Sequence, residues 1–297
     1  MLENVESLMH RYVEEADAYA LSLYEKVPRG KRLRAKLILR IAGENAEAER
    51  LAAIVELIHA ASLLHDDVID EAMTRRGIPS INATHDSKSA VMLGDILYSK
   101  AYSELSRFAP EIIRRISDAV VQLSAGELLD VEYAKVLQPD EAKYFDMIYK
   151  KTAVLIEATA ASAAALAGKP TQSFARYGKN LGLAFQIIDD VLDITADAQT
   201  LGKPAMADFR EGKTTLPYIY LFEALDEAGR ERLRGLYRKS LTEEEAAWLK
   251  EKMRESGAVM QSITLAQQLG RQALDAIAHE RNPALERVIT DMIEREF

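Results

Sequence analysis

The chain has 297 residues, of which 48% are hydrophobic and 29% charged, with no cysteine and a formal net charge of −9. Such a composition suits a folded globular chain with a large core, and it excludes disulfides, zinc–thiolate sites and a cysteine nucleophile. The negative balance disfavours nucleic acid as a partner and requires any anionic ligand to be met by local cations or bound metal.

In chain order, the opening segment carries acids where a secretory leader carries a basic stretch and an apolar run, so a cytoplasmic location is expected. Helical periodicity then dominates, and the prolines fall near the boundaries of helical stretches. The spacing predicts helices near 2–25, 30–43, 46–71, 87–107, 110–135, 139–167, 171–196 and 214–225, then shorter ones near 228–238, 242–255, 257–279 and 284–295. No Asn-Gly or Asp-Gly hairpin is evident. The longest apolar stretch, Ala153 to Gly168, is interrupted by Glu157 and rich in alanine, and so reads as a packed core helix. It falls short of the roughly 18 uninterrupted apolar residues of a membrane span. With no Gly/Ser-rich or Pro-rich linker and no fixed-period repeat, one all-α domain over 1–297 is expected, with the more polar helices of 226–297 at its periphery.

Two segments carry the chemistry. From Glu56 to Asp70, His59, Ser62, Asp66 and Asp70 share an arc of about 80° at 100° per residue, while the other faces carry Leu57, Ile58, Ala60, Ala61, Leu63, Leu64, Val68 and Ile69. A buried helix cannot turn carboxylates toward hydrocarbon without a large penalty, so this stripe must line a wet cavity or hold cations. From Phe185 to Asp193 the device recurs, with Gln186, Asp189, Asp190 and Asp193 inside about 100° of arc on an otherwise apolar helix. Carboxylates four residues apart repel one another unless something positive lies between them. Magnesium suits that position, since it takes hard oxygen ligands and completes its shell with water and phosphate. A solvated face is the bland reading of one DDxxD; two copies on two apolar helices argue for a shared chamber in which ions clasp a diphosphate.

Cations accompany the acids. Lys31, Arg32 and Arg34 open the second predicted helix, Arg75-Arg76-Gly77 follows the first acidic cluster, and Lys203 and Lys213 follow the second. Lys150-Lys151-Thr152 interrupts an apolar helix. Each alone reads as surface charge; together they read as a composite anion site.

Gly30-Lys31-Arg32-Leu33-Arg34, Glu56-Leu57-Ile58-His59, Asp66-Asp67-Val68-Ile69-Asp70, Arg75-Arg76-Gly77, Gly94-Asp95, Lys151-Thr152, Gln186-Ile187-Ile188-Asp189-Asp190-Val191-Leu192-Asp193 and Glu211-Gly212-Lys213-Thr214-Thr215-Leu216-Pro217 occur in that order. The set resembles the trans-isoprenyl diphosphate synthases, and most closely the octaprenyl-type medium- and long-chain members. The resemblance implies an isoprenoid synthase helical bundle with a central cavity, acting as a homodimer. Its substrates would be isopentenyl diphosphate and an allylic diphosphate, and its cofactor Mg²⁺, with Mn²⁺ as a substitute. It further implies that Asp66 and Asp70 hold two of the ions and Asp189 a third, with Asp190 and Asp193 completing the second cluster. The catalytic set would be Asp66, Asp67, Asp70, Asp189, Lys151, Thr152 and Gln186. Arg75, Lys151, Thr152, Gln186, Lys203 and Lys213 would face the allylic diphosphate, and Lys31, Arg34, His59 and Arg76 the isopentenyl diphosphate. The chain departs from the family at Arg29, where a glycine is usual, and at Ala35, where a proline is.

The first cluster lacks the insertion of bacterial farnesyl-type enzymes, and the residues one turn before it, Ala61 and Ser62, are small. In related short-chain enzymes bulky aromatics there close the product pocket, so an octaprenyl-length product is expected, with geranylgeranyl or farnesyl diphosphate as the alternative. Rival readings are a metal phosphohydrolase, suggested by His65-Asp66, a terpene cyclase, and a silent subunit of a heteromeric synthase. The phosphohydrolase requires further histidine ligands. The cyclase normally lacks the Gly-Lys-Arg-x-Arg element, and the silent subunit is disfavoured by two intact acidic clusters.

Overall fold

The computed structural model describes residues 2–195 and 206–293. Its helices, in chain order, are α1 (Leu2–Ala16), α2 (Ala18–Tyr24), α3 (Leu33–Ala42), α4 (Ala46–Ile69), the short α5 (Ile81–Thr84), α6 (Ser87–Leu105), α7 (Pro110–Tyr133) and α8 (Glu141–Ile148). A π-helical turn, Tyr149–Ala153, leads into α9 (Val154–Leu166), followed by α10 (Thr171–Thr195), α11 (Ala207–Glu211), α12 (Leu216–Ala224), α13 (Glu227–Leu236), α14 (Glu243–Ser256), α15 (Ala258–Ala276) and α16 (Pro283–Ile293). The chain is therefore all-α, as its periodicity requires.

Several departures from the sequence expectation have a local reason. The single helix expected over 2–25 breaks at Asp17, whose side chain accepts the Ala20 amide hydrogen and starts α2. Helix α3 begins at Leu33 rather than residue 30 because Arg32 adopts left-handed backbone, φ 52°, which helical backbone cannot include. The helix expected over 139–167 is interrupted by the π turn. Finally, a two-stranded antiparallel hairpin, β1 (Thr74–Arg75) with β2 (Ile78–Pro79), follows the first acidic cluster. Its turn residues, Arg76 and Gly77, both have positive φ, 55° and 73°, as a type I′ turn demands.

Packing divides the chain into two compact units, residues 1–120 with 158–175, and residues 121–157 with 176–297. In the first unit α4 is the central element, in contact with α1, α3 and α6. Its start is fixed by Asn45, whose side-chain oxygen accepts from the amides of Glu47 and Ala48. Leu51, Ile54, Val55, Leu57, Ile58 and Leu64 of α4 are all buried. Ile69, at its last turn, is 46% exposed, so the apolar coat expected around the acidic stripe does not extend to the helix end.

In the second unit α12 meets α13, α14 and α15. Phe209 stacks on Tyr218 with ring centres 4.4 Å apart, and the same core takes Leu233, Leu236, Leu249 and Met253 from the helices beyond residue 226. The buried Tyr177 hydroxyl donates to the Leu285 carbonyl at 2.9 Å, tying α16 to α10. No helix among the described residues is long and apolar enough to cross a membrane.

Candidate active site

The first unit carries one acidic ridge and one cationic patch. On α4, His59, Ser62 and Asp66 are half-buried and Asp70 is exposed at the helix end, so the stripe read from the wheel is the polar face of an otherwise packed helix. Asp67 lies about 100° further round the helix and so turns off that ridge. It is 4% exposed and accepts from Arg75 Nε at 2.7 Å, while Arg75 Nη2 reaches Asp66 at 3.1 Å. Burial raises the Asp67 pKa and Arg75 opposes that shift. The hairpin places Arg75: Ser80 donates to the Ala72 carbonyl, and the Asn82 amide group to the carbonyls of Asp67 and Ala72, locking the connection onto the end of α4.

The cationic patch surrounds His59. Burial lowers its pKa well below the ordinary value, and Arg34, Arg76, Arg75 and Arg32 lower it further, so the ring is neutral at neutral pH. Arg34 sits in the first turn of α3 with its Nε buried and without a hydrogen-bond partner. A guanidinium with a buried, unsatisfied donor is a ready contact for an anion. Arg32 is held by Glu6 at 2.6 Å and lies 3.5 Å from Glu56, which is 2% exposed and also accepts the Ala35 amide hydrogen. That bond gives physical meaning to alanine at position 35, because a proline has no amide hydrogen to offer. A Cβ on Gly30 would stand 2.8 Å from Arg76 Nη1, so glycine there admits the Arg76 head, which also reaches the Pro28 carbonyl. Arg34 and Arg76 thus lie near His59, while Lys31 is exposed on the loop before α3.

His65, beside Asp66 in sequence, points elsewhere. Its Nε2 donates to the Val91 carbonyl at 3.1 Å and lies 3.4 Å from Asp95. Its ring crosses Gly94, where a Cβ would stand 2.3 Å away, which explains Gly94-Asp95 as a packing motif. The ring therefore serves helix packing, contrary to the histidine–aspartate pairing of a phosphohydrolase. The donors left on the ridge are hard carboxylate oxygens one turn apart, a set that fits a magnesium ion.

In the second unit α10 carries the other cluster. Asp189 and Gln186 are half-buried, whereas Asp190 and Asp193 are 3% and 1% exposed. Asp193 accepts the Asp208 amide hydrogen at 3.1 Å, an anion at the start of α11. Asp190 accepts from the Tyr144 hydroxyl at 2.7 Å and from the Gln186 amide at 2.8 Å, and burial followed by the charge of Asp208 raises its pKa well above the usual carboxylate range. The arc of four polar residues is therefore not uniformly wet.

The π turn accounts for two lysines in an apolar helix. Its wider backbone turns Lys151 toward Glu127 and Asp130, 3.0 and 2.5 Å away, and Thr152 toward Gln186, whose Oε1 accepts from the hydroxyl at 2.8 Å. Lys150 pairs with Asp146 instead. Lys213 follows α11, donates to Glu211 at 2.9 Å, and lines a small cavity with Asp130, Tyr133, Gln138, Tyr144 and Thr214. Lys203 lies outside the described residues. Ala61 is fully buried, and the half-buried Ser62 donates to the His59 carbonyl. Sequence reasoning missed Tyr144, Glu127, Asp130 and the anchoring role of Glu56. Only Glu56 carried a local signal, an acid one turn before His59 on a buried helix.

Together, the helical architecture, the carboxylate ridge and the arginine patch define an all-α isoprenoid synthase fold. The polyprenyl synthetase family model matches residues 17–253. The crystal structure of octaprenyl pyrophosphate synthase from Helicobacter pylori is 42% identical, with a TM-score of 0.95 over 99% of this chain and 98% of that one. A short chain isoprenyl diphosphate synthase of Methanothermobacter thermautotrophicus is 38% identical over 69% of this chain, which spans 66% of that relative's length. A geranylgeranyl diphosphate synthase of Sulfolobus acidocaldarius is 33% identical over 82% of this chain and 80% of its own length. The chain belongs to the polyprenyl synthetase family and is a trans-prenyl diphosphate synthase.

Proposed function

We propose that this enzyme condenses isopentenyl diphosphate head-to-tail onto an allylic diphosphate, extending it to an all-trans product of octaprenyl length. The observation that carries the reading is the pairing, within one unit, of the Asp66–Asp70 ridge with Arg34, Arg76 and a neutral His59. A metal-binding face and a face for a second anion are what joining two diphosphate esters requires.

In this reading the whole chain is one catalytic domain. Asp66, Asp70 and Asp189 would hold magnesium, with Asp193 beside them, and Arg75, Lys151, Lys203 and Lys213 would add positive charge for the allylic diphosphate. Bound magnesium supplies neutralisation of the charge that develops on the departing diphosphate. Lys31, Arg34, His59 and Arg76 hold the isopentenyl diphosphate, and its double bond attacks the allylic carbon. Thr152 and Gln186 lie beside the reacting chain. The proton then lost passes to the departed diphosphate, so no protein nucleophile is needed. Preorganised charge, rather than covalent catalysis, supplies the acceleration.

The octaprenyl length is supported by small Ala61 and Ser62 and by the 42% identity to the Helicobacter pylori octaprenyl enzyme. Homodimer assembly and a cytoplasmic location belong to the same reading. The test incubates the purified chain alone with Mg²⁺, farnesyl diphosphate and labelled isopentenyl diphosphate, and sizes the products. Octaprenyl diphosphate is expected. Products stopping at geranylgeranyl length would replace the chain-length reading, and no condensation by the isolated chain would favour a silent subunit.

A further inference from the structure

The two adjacent aspartates of α10 stand in different surroundings. Asp189 is half-buried, while Asp190 is 3% exposed and has a hydrogen bond on each oxygen. The Tyr144 hydroxyl donates to Oδ2 at 2.7 Å, and Gln186 Nε2 donates to Oδ1 at 2.8 Å. The other end of the Gln186 amide accepts from the Thr152 hydroxyl at 2.8 Å. An unbroken path therefore runs from Tyr144 through Asp190 and Gln186 to Thr152, across α8, α10 and the π turn.

The direction of each bond is constrained. A glutamine amide presents a donor at one end and an acceptor at the other. With Asp190 Oδ1 unprotonated, rotating the Gln186 amide by a half-turn would set its oxygen against it, acceptor against acceptor. Asp190 thus fixes which end of Gln186 meets Thr152, and Tyr144 fixes Asp190. A magnesium ion reaching Asp190 would have to displace one of these donors and enter a nearly closed site, although the ion gives up its own waters reluctantly. In the first cluster Asp67 follows the same pattern, turned off the ridge, 4% exposed and bonded to Arg75.

We propose that Asp190 is a positioning residue and not a metal ligand: with Tyr144 it sets the Gln186 amide, and through it the Thr152 hydroxyl, beside the reacting allylic chain. The proposal rests on the prenyl-transfer reading of the site, so its test has one arm that needs no turnover. Magnesium-dependent binding of inorganic pyrophosphate is measured by calorimetry for the wild type, Asp190→Asn and Tyr144→Phe, alongside kcat and KM for both substrates. Both variants are expected to bind within about twofold of wild type and to lose kcat by about tenfold at unchanged KM for isopentenyl diphosphate. The double variant is expected to be no slower than Asp190→Asn alone, since both substitutions cut one path. A loss of pyrophosphate binding beyond about threefold in Asp190→Asn, or full kcat in Tyr144→Phe, overturns the proposal. Should Asp190→Asn fail to fold, Tyr144→Phe, which removes one oxygen, still decides it. A wild type that condenses nothing sinks the functional reading alone, and the pyrophosphate arm then settles the role of Asp190.

Discussion

Glu56 accepts the amide hydrogen of Ala35 at 2.9 Å, and its other oxygen lies 3.5 Å from the Arg32 guanidinium. One buried carboxylate therefore fixes the start of α3 and offsets part of the positive charge gathered around His59. Glu56→Ala leaves a buried amide and a half-buried guanidinium without that acceptor, and should cost about 1–3 kcal/mol of stability in urea unfolding. Glu56→Gln keeps an oxygen for Ala35 and should retain most of that stability. Glu56→Ala should also raise KM for isopentenyl diphosphate, because the start of α3, which carries Arg34, loses its anchor.

Asp66 and Asp67 should separate functionally. Asp66→Asn removes charge from the ridge and is expected to lower kcat by about 100-fold or more while raising the Mg²⁺ concentration for half activity. Asp67→Asn weakens the hold on Arg75, and should act on the allylic substrate's KM with a smaller change in Mg²⁺ demand. Steady-state kinetics across a Mg²⁺ titration measures both. Chelation with EDTA should abolish turnover, and added Mg²⁺ should restore it.

Gly126 lies against the π turn: a Cβ there would stand 2.4 Å from the Lys151 nitrogen and 2.7 Å from the Lys150 carbonyl carbon. Backbone cannot yield as a side-chain tip can, so Gly126→Ala should cost about 1–3 kcal/mol in thermal unfolding and lower kcat by displacing Lys151. Gly235, in α13, has open space at the same position and provides the control. Gly235→Ala should leave activity intact and stabilise by up to about 1 kcal/mol.

The pH dependence of folding should carry the mark of His59. Its folded-state pKa lies well below 6.5, first through burial and then through the neighbouring arginines. Below the unfolded pKa the unfolded chain binds a proton that the folded chain refuses, so this contribution is fully present above about pH 6.5 and is lost as pH falls toward the folded value. Urea unfolding at pH 7.5 and pH 5.5 should show a steeper loss for the wild type than for His59→Gln. Equal losses would mean that the ring takes its proton freely in the folded protein.

The parts legible in the sequence are those set by local periodicity and capping. The apolar faces of α4 and α10 follow from period 3.6, and Thr242, with Glu245 three residues on, marks the start of α14 by a capping box. The acidic ridge and the cluster of Arg34, His59 and Arg76 were legible because they sit in short motifs. The hairpin was not, since its type I′ turn uses Arg76 where asparagine or aspartate is the usual signal. Neither was the break before α3, because nothing local announces left-handed backbone at Arg32. The burial of Asp190 depends on Tyr144, 46 residues earlier in the chain, and no helical wheel contains that partner.

A π turn is an α-helix holding one surplus residue. Removing one residue from Tyr149–Ala153 would let α8 and α9 run together as ordinary helix with their packing faces in register, while the surface that presents Lys151 and Thr152 would rotate by about 100°. The chemistry of this helix thus hangs on a single codon's worth of backbone, gained or lost without rebuilding either neighbour.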